Sequence, residues 1–186
     1  MALWFKSNDR FSDVNTFDDA VWLSPTIAEQ INVIAARLAA RSQTLAIVEC
    51  TIGGALGHLL TNVPGASAWF LGGIAPYSAR FKERALGLPA SAFAEHGAVS
   101  TEAARLLATA MLERTGASWT LAETGLAGPR GQHRSSKPTG VIFICLIDPS
   151  GQVFDYVHQT GLDDRLANKS AFIAHAIDIL DQSISK

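Results

Sequence analysis

Residues 44–54 have the sequence TLAIVECTIGG, and this stretch decides the fold class. The run Thr44–Val48 is short and apolar with no polar face, which is typical of a buried strand. Gly53-Gly54 then opens a helix near Ala55–Thr61. A buried strand that leads directly into a helix is the repeating unit of α/β proteins. We therefore predict a layered α/β domain built around this strand.

The same alternation continues on both sides of this stretch. Upstream, Ser24-Pro25 has the pattern of a helix start, and apolar residues follow it at helical spacing. Downstream the sequence predicts a strand at 68–74, helices at 78–86 and 100–115, a strand at 118–123, a hairpin from 139–148 and 152–158, and a closing helix at 164–183. This order predicts a three-layer α/β/α sandwich with a mixed, mainly parallel sheet. Residues 24–186 form this domain, and residues 1–23 are predicted to be an N-terminal appendage that packs through Trp4 and Phe5.

Composition excludes several classes of protein. The chain has 186 residues, a net charge of −2 and only 17% charged residues, so it lacks the basic character of a nucleic-acid-binding protein. Two cysteines form neither a disulfide framework nor a zinc cluster, which favours a reducing compartment. No apolar run is long enough to span a membrane, and the N-terminal stretch lacks a signal-peptide pattern. We expect a cytoplasmic protein.

In open α/β sheets, ligands bind beyond the carboxyl ends of the strands, so the loops after the predicted strands are the candidate sites. The first loop carries Cys50, and a thiol at a helix N-terminus is expected to have a lowered pKa. Neighbouring backbone N–H groups could then form an oxyanion hole. The alternative is a buried structural cysteine beside a helix start.

The second loop carries Tyr77, Ser78 and Lys82. A desolvated lysine there could act as a general base or keep a nucleophile ionised, whereas the alternative is a solvated lysine beside Arg80 and Glu83. The third loop begins at Thr124 and is rich in small residues that leave room for a ligand.

Known nucleotide and metal motifs do not appear in the sequence. It has neither a Walker loop nor a GxGxxG fingerprint, and its histidines show no metal-ligand spacing. Cys145 lies in the apolar run VIFICLI and is predicted to be a core residue. No metal and no cofactor is therefore expected.

Taken in order, the loops resemble the C-terminal domain of the competence/damage-inducible protein CinA over roughly residues 25–182. The matching positions are Glu49 with Gly53-Gly54, Pro64-Gly65-Ala66-Ser67, Gly73 with Tyr77-Ser78 and Lys82, His96-Gly97-Ala98-Val99-Ser100, Thr124-Gly125-Leu126-Ala127-Gly128-Pro129, Lys137-Pro138-Thr139-Gly140, and Gly161 with Arg165. The family's larger N-terminal domain has no counterpart here, so the resemblance implies a stand-alone form.

The resemblance implies hydrolysis of the carboxamide of nicotinamide mononucleotide to nicotinate mononucleotide and ammonia. In the family a serine is the nucleophile, and Cys50 stands at its position, with Thr51 and Ile52 in place of the following cysteine and threonine. Lys82 matches the family's base and Tyr77 matches the tyrosine beside it. Substrate-binding positions implied by the matches are Glu49, Thr51, Gly53, Gly54, Ser78, Thr124, Gly125, Gly128 and Arg165. Lys137 and Arg165 are candidates for the phosphate by their charge.

Three functions stay open from the sequence, and one of them is hydrolysis of a different amide by a Cys50 adapted to it. A Cys–Lys pair could retain the amidohydrolase reaction, because an ionised thiol is a stronger nucleophile than a hydroxyl. Alternatively, the altered loop belongs to an inactive relative that binds a nucleotide or a protein partner. We expect a pyridine mononucleotide as the small-molecule partner and a homo-oligomer, without nucleic acid or membrane partners.

Overall fold

The computed structural model describes residues 24–129 and 136–185, so the predicted appendage at residues 1–23 lies outside the described residues. Within them, the strands are β1 (Leu45–Glu49), β2 (Phe70–Ile74), β3 (Trp119–Leu126), β4 (Val141–Ile147) and β5 (Val153–Gln159). The helices are α1 (Pro25–Ala40), α2 (Ala55–Thr61), α3 (Ala79–Leu86), α4 (Thr101–Thr115) and α5 (Arg165–Ile184), with short 3-10 turns at Ala66–Ala68 and Ala90–Phe93.

These strands form one mixed sheet in the order β2-β1-β3-β4-β5. β1 pairs in parallel with both β2 and β3. β4 runs antiparallel to its neighbours β3 and β5, which makes the predicted hairpin. The carboxyl ends of β1, β2 and β3 therefore meet at one edge of the sheet.

Helices cover both faces of the sheet, which confirms the three-layer prediction. Leu45 and Ile47 of β1 pack into a first core with apolar residues of α1, α2 and α5. Ala46 and Val48 pack into a second core beneath α4. Successive strand residues point to opposite faces, so a strand buried on both faces shows the unbroken apolar run seen in the sequence. Cys145 is fully buried in the second core, as predicted.

Side chains cap the starts of three helices. The side chains of Ser78, Ser100 and Asp164 each accept a hydrogen bond from a backbone N–H in the first turn of α3, α4 and α5. Ser24 precedes α1 as predicted, but its side chain makes no capping bond. Pro25 sets the start of this helix instead, because its fixed φ suits the first turn.

One strand is longer than predicted. β3 continues to Leu126, three residues beyond the expected end at residue 123, because its last residues pair with β4 as far as Leu126 opposite Val141. Thr124 and Gly125 were predicted as loop residues and instead belong to this strand. Within the described residues, no helix is both long and apolar enough to cross a membrane.

Candidate active site

A cleft of about 560 Å³ opens at the carboxyl ends of β1, β2 and β3. Its lining includes residues that were predicted to lie in three separate loops, together with the first residue of α5. The predicted site residues in the lining are Cys50, Thr51, Tyr77, Lys82, Thr124, Gly125, Gly128 and Arg165. The lining also includes His96–Val99, Ser136, Lys137 and Thr139.

Cys50 and Lys82 lie together, and both side chains are buried. Lys82 Nζ donates to the backbone carbonyls of Pro76 at 2.8 Å and Tyr77 at 3.4 Å. Cys50 Sγ donates to the same Pro76 oxygen at 3.8 Å, so the thiol and the amine share one acceptor. Lys82 is thus a buried residue, not the solvated lysine of the alternative, because the first turn of α3 directs it at the end of β1.

The pKa of the Cys50 thiol is raised to about 12. Burial is the main cause and the charge of Glu123 adds to it, while the charge and hydrogen bond of Lys82 lower the pKa by less. The prediction of a lowered thiol pKa was therefore wrong. In the free protein the thiol carries its proton at neutral pH.

A buried carboxylate explains why the loop does not favour an anion. Glu123 Oε1 accepts hydrogen bonds from the backbone N–H groups of Thr51 at 2.6 Å and Ile52 at 2.8 Å. These two N–H groups next to the thiol are occupied by Glu123, so they do not form an oxyanion hole in this structure.

A second buried carboxylate caps the following helix. Glu49 Oε2 accepts from the N–H groups of Gly54 and Leu56, and Glu49 Oε1 accepts from Gly57, all at 2.9 Å. Burial raises the pKa of Glu49, while these three hydrogen bonds and the charge of Lys169 lower it. Glu49 does not line the cleft. Its contacts are with the start of α2.

The paired glycines of this loop shape the turn. Gly53 and Gly54 have φ of 79° and 101°, a region that side chains rarely adopt. Neither lines the cleft, although both were predicted to bind substrate. Ser78, another predicted binding residue, is exposed outside the lining and caps α3.

The close approach of the β4 backbone explains why residue 125 is a glycine. A Cβ at this position would lie 2.5 Å from the carbonyl oxygen of Val141 and 3.1 Å from Ile142 Cα, both on β4. Gly125 therefore permits close packing of β3 on β4 while its backbone lines the cleft. Thr51 Oγ1 donates to the Gly125 carbonyl at 3.2 Å, which joins the first and third loops.

Ile52 is fully buried in the first core. It does not line the cleft, so the apolar residue at this position leaves the composition of the lining unchanged. Thr124, on the opposite face of the sheet, donates from Oγ1 to the Ala98 carbonyl at 2.6 Å. This bond attaches the segment before α4 to the end of β3.

The rim of the cleft carries positive charge. Arg165 donates from Nη1 to the Gly128 carbonyl at 2.9 Å, and Lys137 Nζ lies 5.5 Å from the centre of the Phe143 ring. Tyr77 is exposed beside them. Among residues 24–129 and 136–185, the lining includes no aspartate or glutamate. The same ranges contain no group of three or more His, Cys, Asp or Glu residues that could hold a metal ion.

Glu123 is the residue of this region that sequence reasoning missed. It lies in a strand that is buried over most of its length, and a buried acidic residue needs polar partners, which is the signal in the sequence that could have identified it. His96, which belongs to one of the matching motifs but had no predicted role, lies half-exposed in the lining of the cleft.

The structure is an α/β sandwich with a cleft at the carboxyl ends of its parallel strands. The chain belongs to the CinA C-terminal domain family, whose model matches residues 27–184. This confirms the resemblance found in the sequence.

Relatives with assigned names support the same family. A CinA-like protein of Gloeothece citriformis is 36% identical over 154 residues, which is 82% of this chain and 37% of that protein. A CinA-like protein of Synechococcus sp. is 42% identical over 120 residues, 64% of this chain and 28% of that protein. The chain thus spans about a third of the length of these relatives.

Solved structures share the fold. The competence/damage-inducible protein CihA from Agrobacterium tumefaciens superposes with a TM-score of 0.79 at 26% identity, covering 86% of this chain and 96% of that one. A CinA superfamily protein from Escherichia coli has a TM-score of 0.77 at 23% identity, covering 91% and 94% of the two chains.

Proposed function

We propose that the protein hydrolyses the carboxamide of nicotinamide mononucleotide, with Cys50 as nucleophile and Lys82 as base. One observation carries this proposal. A buried thiol and a buried amine meet in the cleft at one carbonyl, because the Pro76 oxygen lies 3.8 Å from Cys50 Sγ and 2.8 Å from Lys82 Nζ. A nucleophile within hydrogen-bond reach of a base is the arrangement that acyl transfer requires.

The proposed reaction uses the neutral form of Lys82, because only a neutral amine can take up the thiol proton. Such an amine has two N–H bonds for the Pro76 and Tyr77 carbonyls and keeps its lone pair for the thiol proton. The proton passes from Cys50 to Lys82 as sulfur attacks the carboxamide carbon. The C–N bond then breaks and Lys82 returns the proton to the departing ammonia, which leaves a thioester.

Water completes the reaction at the thioester. Lys82 takes a proton from water as its oxygen attacks the carbonyl carbon. The C–S bond breaks, sulfur recovers the proton from Lys82, and the product acid ionises to give its proton to ammonia. The balance is carboxamide plus water to carboxylate plus ammonium.

The rim supports an anionic substrate. Arg165 and Lys137 supply charge for a phosphate, and no acidic residue in the described part of the lining opposes them. The exposed Tyr77 ring offers a face for stacking of the pyridine ring. A volume of about 560 Å³ lies within the usual range for small-molecule sites.

A second function is favoured by different observations. The thiol pKa of about 12 keeps Cys50 neutral, and Glu123 occupies the two N–H groups beside it. A binding protein without turnover would need neither a thiolate nor an oxyanion hole. It would be stabilised by the mononucleotide, by about 2.7 kcal/mol at 100 times the dissociation constant.

One experiment distinguishes the two functions. Ammonia release from nicotinamide mononucleotide is measured for the parent protein, Cys50→Ala and the matched control Cys145→Ala, which removes the other thiol. Ammonia from the parent and the control but not from Cys50→Ala supports the proposal. Ammonia from all three proteins refutes Cys50 as nucleophile. A rise in Tm with the mononucleotide and no ammonia supports the binding function and refutes the hydrolysis.

A further inference from the structure

Two acidic residues stand side by side in the middle of the sheet. Glu49 of β1 and Glu123 of β3 are partners in the parallel register, and neighbouring strands lie about 4.8 Å apart. Both side chains are buried, with 2% and 0% of their surface exposed. Their strand positions share a face with Ile47 and Leu121, which lie in the first core.

Glu123 contacts three consecutive residues at the nucleophile. The Cys50 N–H donates to the Glu123 backbone oxygen at 3.3 Å. The Thr51 and Ile52 N–H groups donate to its Oε1. Its second carboxyl oxygen, Oε2, is buried and has no hydrogen-bond partner among the described residues.

We propose that Glu123 is a positioning residue for Cys50, which fixes the backbone of residues 50–52 and adjusts the reactivity of the thiol through its own charge. The inference rests on the proposed function, in which Cys50 is the nucleophile. Glu123 does not line the cleft, so it acts through the loop and through the field at the sulfur.

Electrostatics supports this role. Burial and the neighbouring charge of Glu49 raise the pKa of Glu123 to about 7, although the N–H groups of Thr51 and Ile52 oppose the rise. Two buried carboxyls this close titrate as a coupled pair. Glu123 therefore changes charge near neutral pH.

The charged groups around this pair act in opposite directions. Glu123 raises the pKa of the Cys50 thiol and Lys82 of α3 lowers it. Lys169 of α5 lowers the pKa of Glu49. When Glu123 takes up a proton, it no longer raises the pKa of the thiol. Lys82 still lowers that pKa, so the thiol ionises more readily. When Glu123 is ionised, the thiol is harder to ionise.

The test is the pH profile of Cys50 alkylation by iodoacetamide in a Cys145→Ala background. Glu123→Gln keeps a side-chain oxygen for the two N–H groups and removes the charge. We expect its alkylation rate at pH 8 to rise by about tenfold, which corresponds to a fall of about one unit in the thiol pKa. Glu113→Gln, an exposed position on α4, is the matched control and should leave the profile unchanged.

A profile of Glu123→Gln that superposes on the parent would overturn the inference. If this variant does not fold, the pH profile of the parent protein is the test. A plot of the logarithm of its alkylation rate against pH should have a slope below one near pH 7, where Glu123 ionises. A slope of one throughout would overturn the inference. Neither measurement of alkylation requires the protein to turn over a substrate. A shifted profile in a protein that releases no ammonia would support the role of Glu123 while refuting the hydrolase.

Discussion

Arg165 and Tyr77 meet across the mouth of the cleft, with Arg165 Nη2 lying 3.5 Å from the Tyr77 hydroxyl. Arg165 is the first residue of α5, and its Nη1 is held by the carbonyl of Gly128. One guanidinium thus joins the segment after β3 to the loop after β2. Its position is fixed before any ligand arrives, which reduces the ordering cost of binding an anion.

Arg165→Ala should weaken binding of nicotinamide mononucleotide by about 30-fold, since hydrogen bonds to a charged group contribute about 2 kcal/mol. Calorimetric titration of the Cys50→Ala protein measures this without turnover. Arg105→Ala is the control, because Arg105 pairs with Asp155 and does not line the cleft. An unchanged Kd in Arg165→Ala would remove Arg165 from the phosphate site.

Lys82→Met should reduce ammonia release by about 10³-fold, because general-base assistance contributes on the order of 10²–10⁴. Alkylation of Cys50 should also slow, since Lys82 lowers the pKa of the thiol. Lys82→Arg separates the two effects: it keeps a positive charge near the sulfur but cannot accept a proton at neutral pH. We expect Lys82→Arg to alkylate faster than Lys82→Met while remaining inactive. Full activity in either variant would contradict the assignment of the base.

Ile52→Thr should lower the free energy of unfolding by about 1–3 kcal/mol, because it removes apolar volume and places a hydroxyl in the first core. Urea titration measures the change. Affinity for the mononucleotide should stay the same, since Ile52 does not line the cleft. A changed affinity at constant stability would show that position 52 contacts the ligand.

Stability should fall as the pH rises through neutrality. The pKa of Glu123 is raised from 4.5 to about 7, so between these values the folded protein binds more protons than the unfolded chain. The stabilisation is complete below about pH 4.5 and is lost as the pH rises through 7, with a size of about 3 kcal/mol.

Urea titrations at pH 5 and pH 8 measure this dependence. Glu123→Gln should lose most of the difference between the two pH values, because it removes the titrating group. The remaining slope comes from other groups, among them Glu49, whose pKa is also raised. Equal pH dependence in the parent and in Glu123→Gln would show that Glu123 has an ordinary pKa.

Much of the fold could be predicted because its signals are local. The helix predicted at residues 100–115 is α4, and the unbroken apolar run at residues 44–48 predicts β1. The meeting of three loops at one sheet edge then follows from the rule for parallel strands. These features depend on residues close together in the chain.

The electrostatics of the site could not be predicted because its causes are distant in the chain. The pKa of Cys50 depends on its burial and on Glu123, which lies in the other half of the sequence. Only the register of β1 on β3 brings Glu123 beside the loop. The true end of β3 was missed for the same reason, since pairing with β4 extends it.

The bonds from Thr51 and Ile52 to Glu123 have a consequence for backbone exchange with solvent. Loop amides usually exchange their hydrogens rapidly, because loops open locally at little cost. These two amide hydrogens are bonded to a fully buried carboxyl between the central strands. Their exchange requires the sheet itself to open, so this loop should be protected to the same degree as β1 and β3. The backbone at the base of the cleft is therefore rigid, and a ligand must fit its existing shape.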